Sequence, residues 1–373
     1  MITRNNFDHG LETFGGAVFE QLSHFDWSQP LQASIEELGV AMGSHIGLKR
    51  SRNEDRVAVG RVQALNSVLY TVAIVCDGVG GSESGDRAAT LAIAAILVEL
   101  SSRRTRIALP ELAAHLVRHS DELVRHQLGG RGTTTLCMFL ASSAEKAVCV
   151  SIGDSRAYSW SPDTPVLQVS VDDTVENELK ALPGNHQSLI NARGLKGRLS
   201  QAIGESDRMA DELHIEILPQ ERFASGVLLG SDGMWKLAKD FEAVMVNSRT
   251  ANDAVRRGIN LANWVGGIDN ASLVAIDDLE KFSGTRGDSD RAHYQAILTL
   301  WLGSSKYSFF WDPKPHWTDT SKPEKVKRKQ VKVVRKRQVA DAPAQMELPV
   351  EKNLAGEPRP VIELTIRPKG KKD

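Results

Sequence analysis

Apolar residues between positions 43 and 280 alternate between the spacing of buried strands and that of helices. The unbroken run at 69–76 is typical of a buried strand. Residues 86–100 and 110–128 predict two helices, the second with one apolar stripe. Further short strands are predicted at 134–140, 147–152, 156–160, 227–230 and 272–276. Several strand pairs are joined by short turns, which favours antiparallel sheets with helices outside over a doubly wound parallel sheet.

Both ends of the chain differ from this middle part. Residues 1–42 form an N-terminal extension with a loose apolar pattern that indicates no role. Residues 281–320 are rich in aromatic side chains, also of unknown role. Residues 321–373 carry dense charge, repeated prolines and few aromatics, so we expect a basic, disordered tail. The longest near-apolar run, 88–98, is too short to span a bilayer.

Composition narrows the class of protein. The 373 residues include 46 Lys+Arg and 47 Asp+Glu, a formal net charge of −1 that argues against a nucleic-acid binder. Nine basic residues between positions 321 and 340 leave an acidic body before a basic tail, which could contact an acidic partner. Three cysteines without a C-x-x-C pair exclude a disulfide scaffold and suit a cytoplasmic location.

Acidic residues recur where predicted strands end or begin. Asp77, Asp154 and Asp232 each follow a strand-like run, and Asp269 precedes one. A buried carboxylate needs a cation, a metal ion or a proton. Four such acids without a matching set of His or Cys predict an oxygen-liganded Mg²⁺ or Mn²⁺ site. Taken singly, each Asp also fits ordinary turn chemistry.

The neighbours of these acids favour the metal site. Asp77 opens the glycine-rich segment 77–81, where a ligand can approach the backbone closely. Upstream, Arg50 lies in the same short segment as Glu54 and Asp55. Arginine is suited to bidentate phosphate binding, so this segment adds a phosphate-binding group to the acids.

The ordered motifs resemble the metal-dependent Ser/Thr protein phosphatases of type 2C, in a bacterial form. Seven blocks carry the resemblance over about residues 43–280: G-x-x-R-x-x-N-E-D at 47–55, D-G-x-G-G at 77–81, G-T-T at 132–134, G-D-S-R-A-Y at 153–158, L-S-x-A-I-G at 199–204, L-L-x-S-D-G-x-W at 228–235 and D-N-x-S at 269–272. The resemblance implies an α+β fold, a four-layer α-β-β-α sandwich of two antiparallel sheets flanked by helices.

The resemblance also implies roles for particular residues. Asp77 would bridge two Mn²⁺ or Mg²⁺ ions, and Arg50 would bind the substrate phosphate. The remaining ligands would be Asp232 and Asp269 for one ion, Glu54 and the Gly78 carbonyl for the other, and Asp154 with Asp232 for a weaker third. Asp55 and Asn270 would support these ligands without binding the phosphate. Val79 stands where some members carry a His that can act as general acid.

The implied reaction is direct hydrolysis of phosphoserine or phosphothreonine in proteins by a metal-bridging hydroxide, without a phosphoenzyme. The implied partners are phosphoprotein substrates and a cognate Ser/Thr kinase or its targets. Two alternatives stay open: a catalytically silent phosphoprotein sensor that uses the same pocket, and a scaffold that acts through residues 281–373.

Overall fold

Two antiparallel sheets form the centre of the fold. The computed structural model describes residues 9–79, 84–162, 164–184, 187–192, 194–208, 212–236, 238, 240–284, 295–312 and 334–337. Within them, the smaller sheet has the strand order β1 (Leu31–Ile35), β2 (Val40–His45), β11 (Ala271–Ile276), β10 (Gly226–Gly230), β7 (Arg156–Trp160) and β8 (Leu167–Gln168). The larger sheet has the order β14 (Val334–Arg337), β13 (Ser305–Trp311), β12 (Ala296–Leu302), β3 (Arg56–Gln63), β4 (Leu69–Cys76), β5 (Leu136–Ser142), β6 (Val148–Ile152) and β9 (Ile217–Pro219).

Helices cover the outer face of each sheet. The larger sheet is covered by α1 (His9–His24), α2 (Gly85–Ser102) and α3 (Leu109–Leu128). The smaller sheet is covered by α6 (Asp232–Trp235), α7 (Phe241–Met245) and α8 (Ala251–Trp264). Three short helices, α4 (Val175–Ala181), α5 (Gln187–Ala192) and α9 (Leu279–Ser283), lie in connections. The predicted four-layer α+β sandwich is confirmed.

Strand alternation explains how the layers are held together. In β10, Val227 and Leu229 belong to the core between the sheets, whereas Leu228 belongs to the cluster under α6–α8. In β11, Val274 faces the first core and Leu273 the second. Successive side chains of a strand point to opposite faces, so a strand that is apolar throughout must be covered on both sides.

The predicted secondary structure agrees well with these elements. The strand at 69–76 and the helix at 110–128 are found within one residue of their predicted bounds. The strand predicted at 134–140 is displaced and runs from Leu136 to Ser142. Thr134 and Thr135 precede it because their side chains and backbone bind the end of β4 instead.

Both end segments contribute to the sandwich. The predicted domain start at residue 43 falls inside β2, which pairs with β11 from Val40 onward. The aromatic segment contributes the hairpin β12–β13, and β12 pairs with β3. Phe14 of α1 packs against Phe309 and Trp311 of that hairpin, with ring centroids 6.3 and 6.1 Å apart. The ends therefore extend and cover the larger sheet.

The basic tail also enters the described structure at one place. Val334–Arg337 pairs antiparallel with β13, where the sequence analysis predicts disorder. The strand β13 would otherwise leave an unpaired edge, and backbone pairing satisfies it. The rest of the predicted tail lies outside the described residues. No helix in the described ranges is both long and apolar enough to cross a membrane.

Candidate active site

The predicted acids lie at the ends of strands from both sheets. Asp77 directly follows β4 in the larger sheet, and Asp154 lies in the turn between β6 and β7. Asp232 begins α6 just after β10, and Asp269 comes two residues before β11. Strands β10 and β11 pack against β4, which brings these ends to one edge of the sandwich.

The charges of these acids act on one another. The pKa of Asp77 is raised well above its usual range, first by burial and then by the charges of Asp55, Asp232, Asp154 and Asp269. Burial and the charge of Asp232 raise the pKa of Asp154 to about 7. Like charges at short range favour the neutral form of each acid. The edge is therefore a strongly acidic cluster, in which Asp55, Asp154 and Asp232 are buried and Asp77 and Asp269 are half-buried.

Asp55 is the most enclosed member of this cluster. Its Oδ2 accepts a hydrogen bond of 2.7 Å from the Ser231 hydroxyl. Its Oδ1 is buried, and no donor among the described residues bonds to it. Burial raises the pKa of Asp55 to about 7. A buried carboxylate oxygen without a donor is costly, which indicates that this region is built for an additional positive group.

Two acids of the cluster have side-chain cations as partners. Arg50 donates from Nη2 to Asp269 Oδ2 at 2.7 Å. Lys236 donates from Nζ to Asp232 Oδ2 at 2.7 Å, one turn along α6. The side chain of Arg50 remains 42% exposed, so it can also reach solvent or a ligand.

Asn270 fixes the loop that carries Arg50 and Glu54. Its Oδ1 accepts from the Glu54 amide at 2.8 Å, and its Nδ2 donates to the carbonyls of Ile46 and Arg52. Gly47 allows the loop to pass close by, since a Cβ there would lie 2.3 Å from the Asp269 carbonyl oxygen. The pKa of Glu54 is raised by burial and by the nearby Asp86. Asn270 thus holds this loop in place through three hydrogen bonds.

The G-T-T block holds the backbone at Asp77. The Asp77 amide donates to Thr135 Oγ1 at 3.0 Å, and its carbonyl accepts from the Thr135 amide and the Thr134 hydroxyl. At Gly78 a Cβ would lie 2.4 Å from the carbonyl carbon of Gly85, so the tight approach of α2 requires glycine there. These contacts give Asp77 and Gly78 a fixed backbone. Gly80 and Gly81 lie outside the described residues.

Several residues of the site were missed by the sequence analysis. Asp172 accepts two hydrogen bonds from Arg156, at 2.8 and 2.7 Å, and Arg156 lies over the Trp235 ring. Asp173 accepts from the Gly153 amide at 2.9 Å and so fixes the turn before Asp154. Lys236 binds Asp232 at the start of α6. The contacts of Asp172 and Asp173 join separate segments of the chain, so the pattern of apolar and polar residues could not reveal them. The contact of Lys236 lies within one turn and depends on the chain becoming helical at Asp232.

The donor set suits a hard divalent cation. Carboxylate oxygens and a backbone carbonyl are ligands that Mg²⁺ and Mn²⁺ prefer, and no nitrogen or sulfur donor is needed. In the part of the chain that the structure describes, no three His, Cys, Asp or Glu side chains are grouped as ligands of one ion. Asp77 nevertheless lies among the charges of other acids, and the Oδ1 of Asp55 has no donor among the described residues. A bound cation would relieve the repulsion between these acids.

Comparison with known proteins identifies the family. The sequence profile of protein phosphatase 2C matches residues 43–267, which is more than half of the chain. This chain therefore belongs to the protein phosphatase 2C family. Phosphatases of this family are metal-dependent. The predicted family is confirmed.

Individual relatives agree with this assignment. Protein phosphatase PhpP of Streptococcus pneumoniae (strain D39) is 25% identical over 245 residues, covering 64% of this chain and 96% of the relative. The crystal structure of the Mycobacterium tuberculosis serine/threonine phosphatase PstP/Ppp is 25% identical, with a TM-score of 0.50 over 64% of this chain and 98% of that one. The structure of Stp1 from Staphylococcus aureus, 18% identical with a TM-score of 0.54, covers 65% and 95% and shares the fold.

Proposed function

We propose that this chain is a metal-dependent phosphatase that removes phosphate from phosphoserine and phosphothreonine in proteins. The observation that carries the proposal is the largely enclosed acidic cluster around Asp77, with the exposed Arg50 at its rim. An acidic cluster alone would repel a phosphate. Bound cations would reverse the local charge and make the edge attractive to a phosphomonoester.

The proposed ligands are the predicted ones. Asp77 would serve both of two ions, because it is surrounded by the other acids. The other ligands would be Glu54, the Gly78 carbonyl, Asp232 and Asp269, with Asp154 and Asp232 at a weaker third position. Mg²⁺ or Mn²⁺ bound in this way supplies Lewis acidity toward the phosphate and lowers the pKa of an attacking water.

The residues of the chain orient and balance charge around that chemistry. Arg50 would exchange its contact with Asp269 for the substrate phosphate, which its planar guanidinium can bind through two hydrogen bonds. Asp55 would stay in place through Ser231 and keep negative charge behind the ligands. Val79 cannot donate a proton, so the leaving alkoxide would take its proton from water.

The biological setting follows from the same proposal. Substrates would be phosphoproteins, with a cognate Ser/Thr kinase adding the phosphate, in the cytoplasm. The basic run at 322–337 would offer an acidic partner a contact surface.

A hydrolysis assay with p-nitrophenyl phosphate tests the proposed function. We expect activity with Mn²⁺ or Mg²⁺, none in EDTA, and a loss of activity in Asp77→Asn. The matched control is Asp207→Asn, an exposed acid outside the cluster. Equal activity in EDTA would refute the metal-dependent reaction. Binding of phosphopeptides without turnover would favour the catalytically silent alternative.

A further inference from the structure

Three exposed apolar side chains lie on the two loops that form the rim of the acidic cluster. Trp264 ends α8 and is 85% exposed, Ile268 directly precedes Asp269 and is 49% exposed, and Leu48 is 63% exposed. Leu48 and Arg50 belong to one loop, and Ile268 and Asp269 to the other. We call Leu48, Trp264 and Ile268 the rim residues. Exposed apolar groups beside a binding site often mark a contact surface for a partner.

Backbone contacts hold the two loops together. The amides of Leu48 and Lys49 both donate to the Gly267 carbonyl, at 2.6 and 3.2 Å. Gly267 has a φ of +51°, and a Cβ there would lie 2.7 Å from Leu48 Cγ. The Leu48 side chain therefore packs over the turn that connects Trp264 to Ile268. These contacts hold the backbone of the loop at 48–50 against the turn that leads to Asp269.

The apolar face of α8 does not need these side chains. Its buried residues, among them Val255 and Ile259, already cover β11 and β2. Trp264 lies at the exposed end of the helix and outside that core. Its exposure consequently has no explanation in the packing of the sandwich.

We propose that the rim residues bind an apolar side chain that flanks the phosphorylated residue of a protein substrate. This inference rests on the proposed function and specifies its substrate class. Two observations favour a substrate as the occupant. Leu48 and Ile268 lie on the same two loops as Arg50, the proposed phosphate ligand, and Asp269. Lys49, next to Leu48, adds a second exposed basic side chain to that of Arg50. A peptide that carries a phosphate beside an apolar residue matches both the charge and the apolar surface.

Paired phosphopeptides test the proposal. One set carries Leu or Phe at each position within three residues of phosphothreonine, and the matched set carries Ser. We expect at least one apolar position to raise kcat/KM about tenfold in the wild type, the scale that burial of one apolar side chain provides. Trp264→Ser and Leu48→Ser should each remove most of that preference. Phe310→Ser, an exposed aromatic on β13, is the control and should keep it.

The readout is the ratio of kcat/KM for the apolar peptide to kcat/KM for p-nitrophenyl phosphate. If p-nitrophenyl phosphate is hydrolysed but the ratio is the same in Trp264→Ser, Leu48→Ser and wild type, the inference is wrong and the proposed function stands. If neither substrate is hydrolysed with Mn²⁺, the proposed function itself fails. Sedimentation velocity is a second measurement on the same variants. If the wild type is a dimer, Trp264→Ser is a monomer and the ratio is unchanged, the rim residues bind a second copy of the chain and the inference is wrong.

Discussion

Asp232 and Asp269 each hold a side-chain cation at 2.7 Å, whereas Asp77 is surrounded by the charges of other acids. Lys236 balances the charge of Asp232, and Arg50 that of Asp269. We call Asp232 and Asp269 the paired acids. Asp55, Asp77 and Asp154, which we call the crowded acids, have raised pKa values. In the metal-free protein the crowded acids repel one another, and a divalent cation would remove that repulsion. The paired acids must release a cation before they can bind an ion with both oxygens.

Asp77→Asn should have the largest effect, because Asp77 is at the centre of the crowded acids. Loss of groups that only support metal ligands costs about 10- to 100-fold, so loss of a shared ligand should lower kcat by more than about 100-fold. The same change removes one charge from the repelling set. The metal-free variant should therefore melt at a higher temperature than the metal-free wild type at about pH 8.

Calorimetry without metal and assays with Mn²⁺ measure the two effects separately. Asp207→Asn should change neither of them. A variant that is both less active and less stable without metal would show a structural role for Asp77, and would contradict the distinction between crowded and paired acids.

Arg50→Ala should come next. Hydrogen bonds to charged groups contribute about 1.5–3 kcal/mol, so kcat/KM for phosphopeptides should fall about 10- to 100-fold. Arg50→Lys should recover only part of this because an ammonium cannot form the two parallel bonds of a guanidinium. Arg52→Ala is the control, since Arg52 is 65% exposed and faces Asp86. Equal losses in Arg50→Ala and Arg52→Ala would indicate general charge attraction in place of a specific contact.

The stability of the metal-free protein should depend on pH through the crowded acids. The pKa values of Asp55 and Asp154 rise from 3.8 to about 7 on folding. Between pH 3.8 and about 7 the folded chain keeps protons that the unfolded chain has released, and this proton binding stabilises the folded state. The contribution to the free energy of unfolding is complete below about pH 4 and is lost as the pH rises through about 7. From about pH 5.5 to 8 we expect a loss of about 2 kcal/mol for each acid. Asp154→Asn should flatten the curve, measured by denaturant unfolding in EDTA, and a curve that rises with pH would contradict the assignment.

Lys236→Gln should have the smallest effect. Lys236 is 47% exposed, and pairs of this kind contribute about 1 kcal/mol or less. Removal of this competing cation should strengthen Mn²⁺ binding about threefold. Lys180→Gln breaks an equally spaced pair with Glu176 on α4 and is the matched control. Weaker Mn²⁺ binding in Lys236→Gln would mean that the lysine supports the ion and does not compete with it.

The sequence predicts the acids of the candidate site better than the contacts that these acids make. Asp77, Asp154, Asp232 and Asp269 could be found because each lies at a strand end with its own local motif. The contact between Lys236 and Asp232 has i,i+4 spacing, but it becomes visible only once the chain is known to turn into α6 there. The bond from Arg156 to Asp172 joins segments 16 residues apart, and no local pattern predicts such a pairing.

In the two end segments, too, the sequence reveals the secondary structure but not the contacts between distant elements. Phe14, Val18 and Leu22 have helical spacing, and Tyr307, Phe309 and Trp311 alternate as in a strand, so both elements could have been predicted. All six side chains are buried. Their contact with one another could not have been predicted, because nearly 300 residues separate Phe14 from Phe309. Such contacts depend on the sheet order, which places β13 beside β12 and β12 beside β3.

Calorimetric titration of Mn²⁺ into the metal-free wild type and Asp77→Asn, at about pH 7, tests the central claim most directly. Because the pKa values of Asp55 and Asp154 lie at about 7, the wild type should bind Mn²⁺ with release of protons, seen as a dependence of the heat on the buffer. Asp77→Asn should lose the tight binding and most of the proton release. Identical isotherms for the two proteins would show that these acids do not form a metal site.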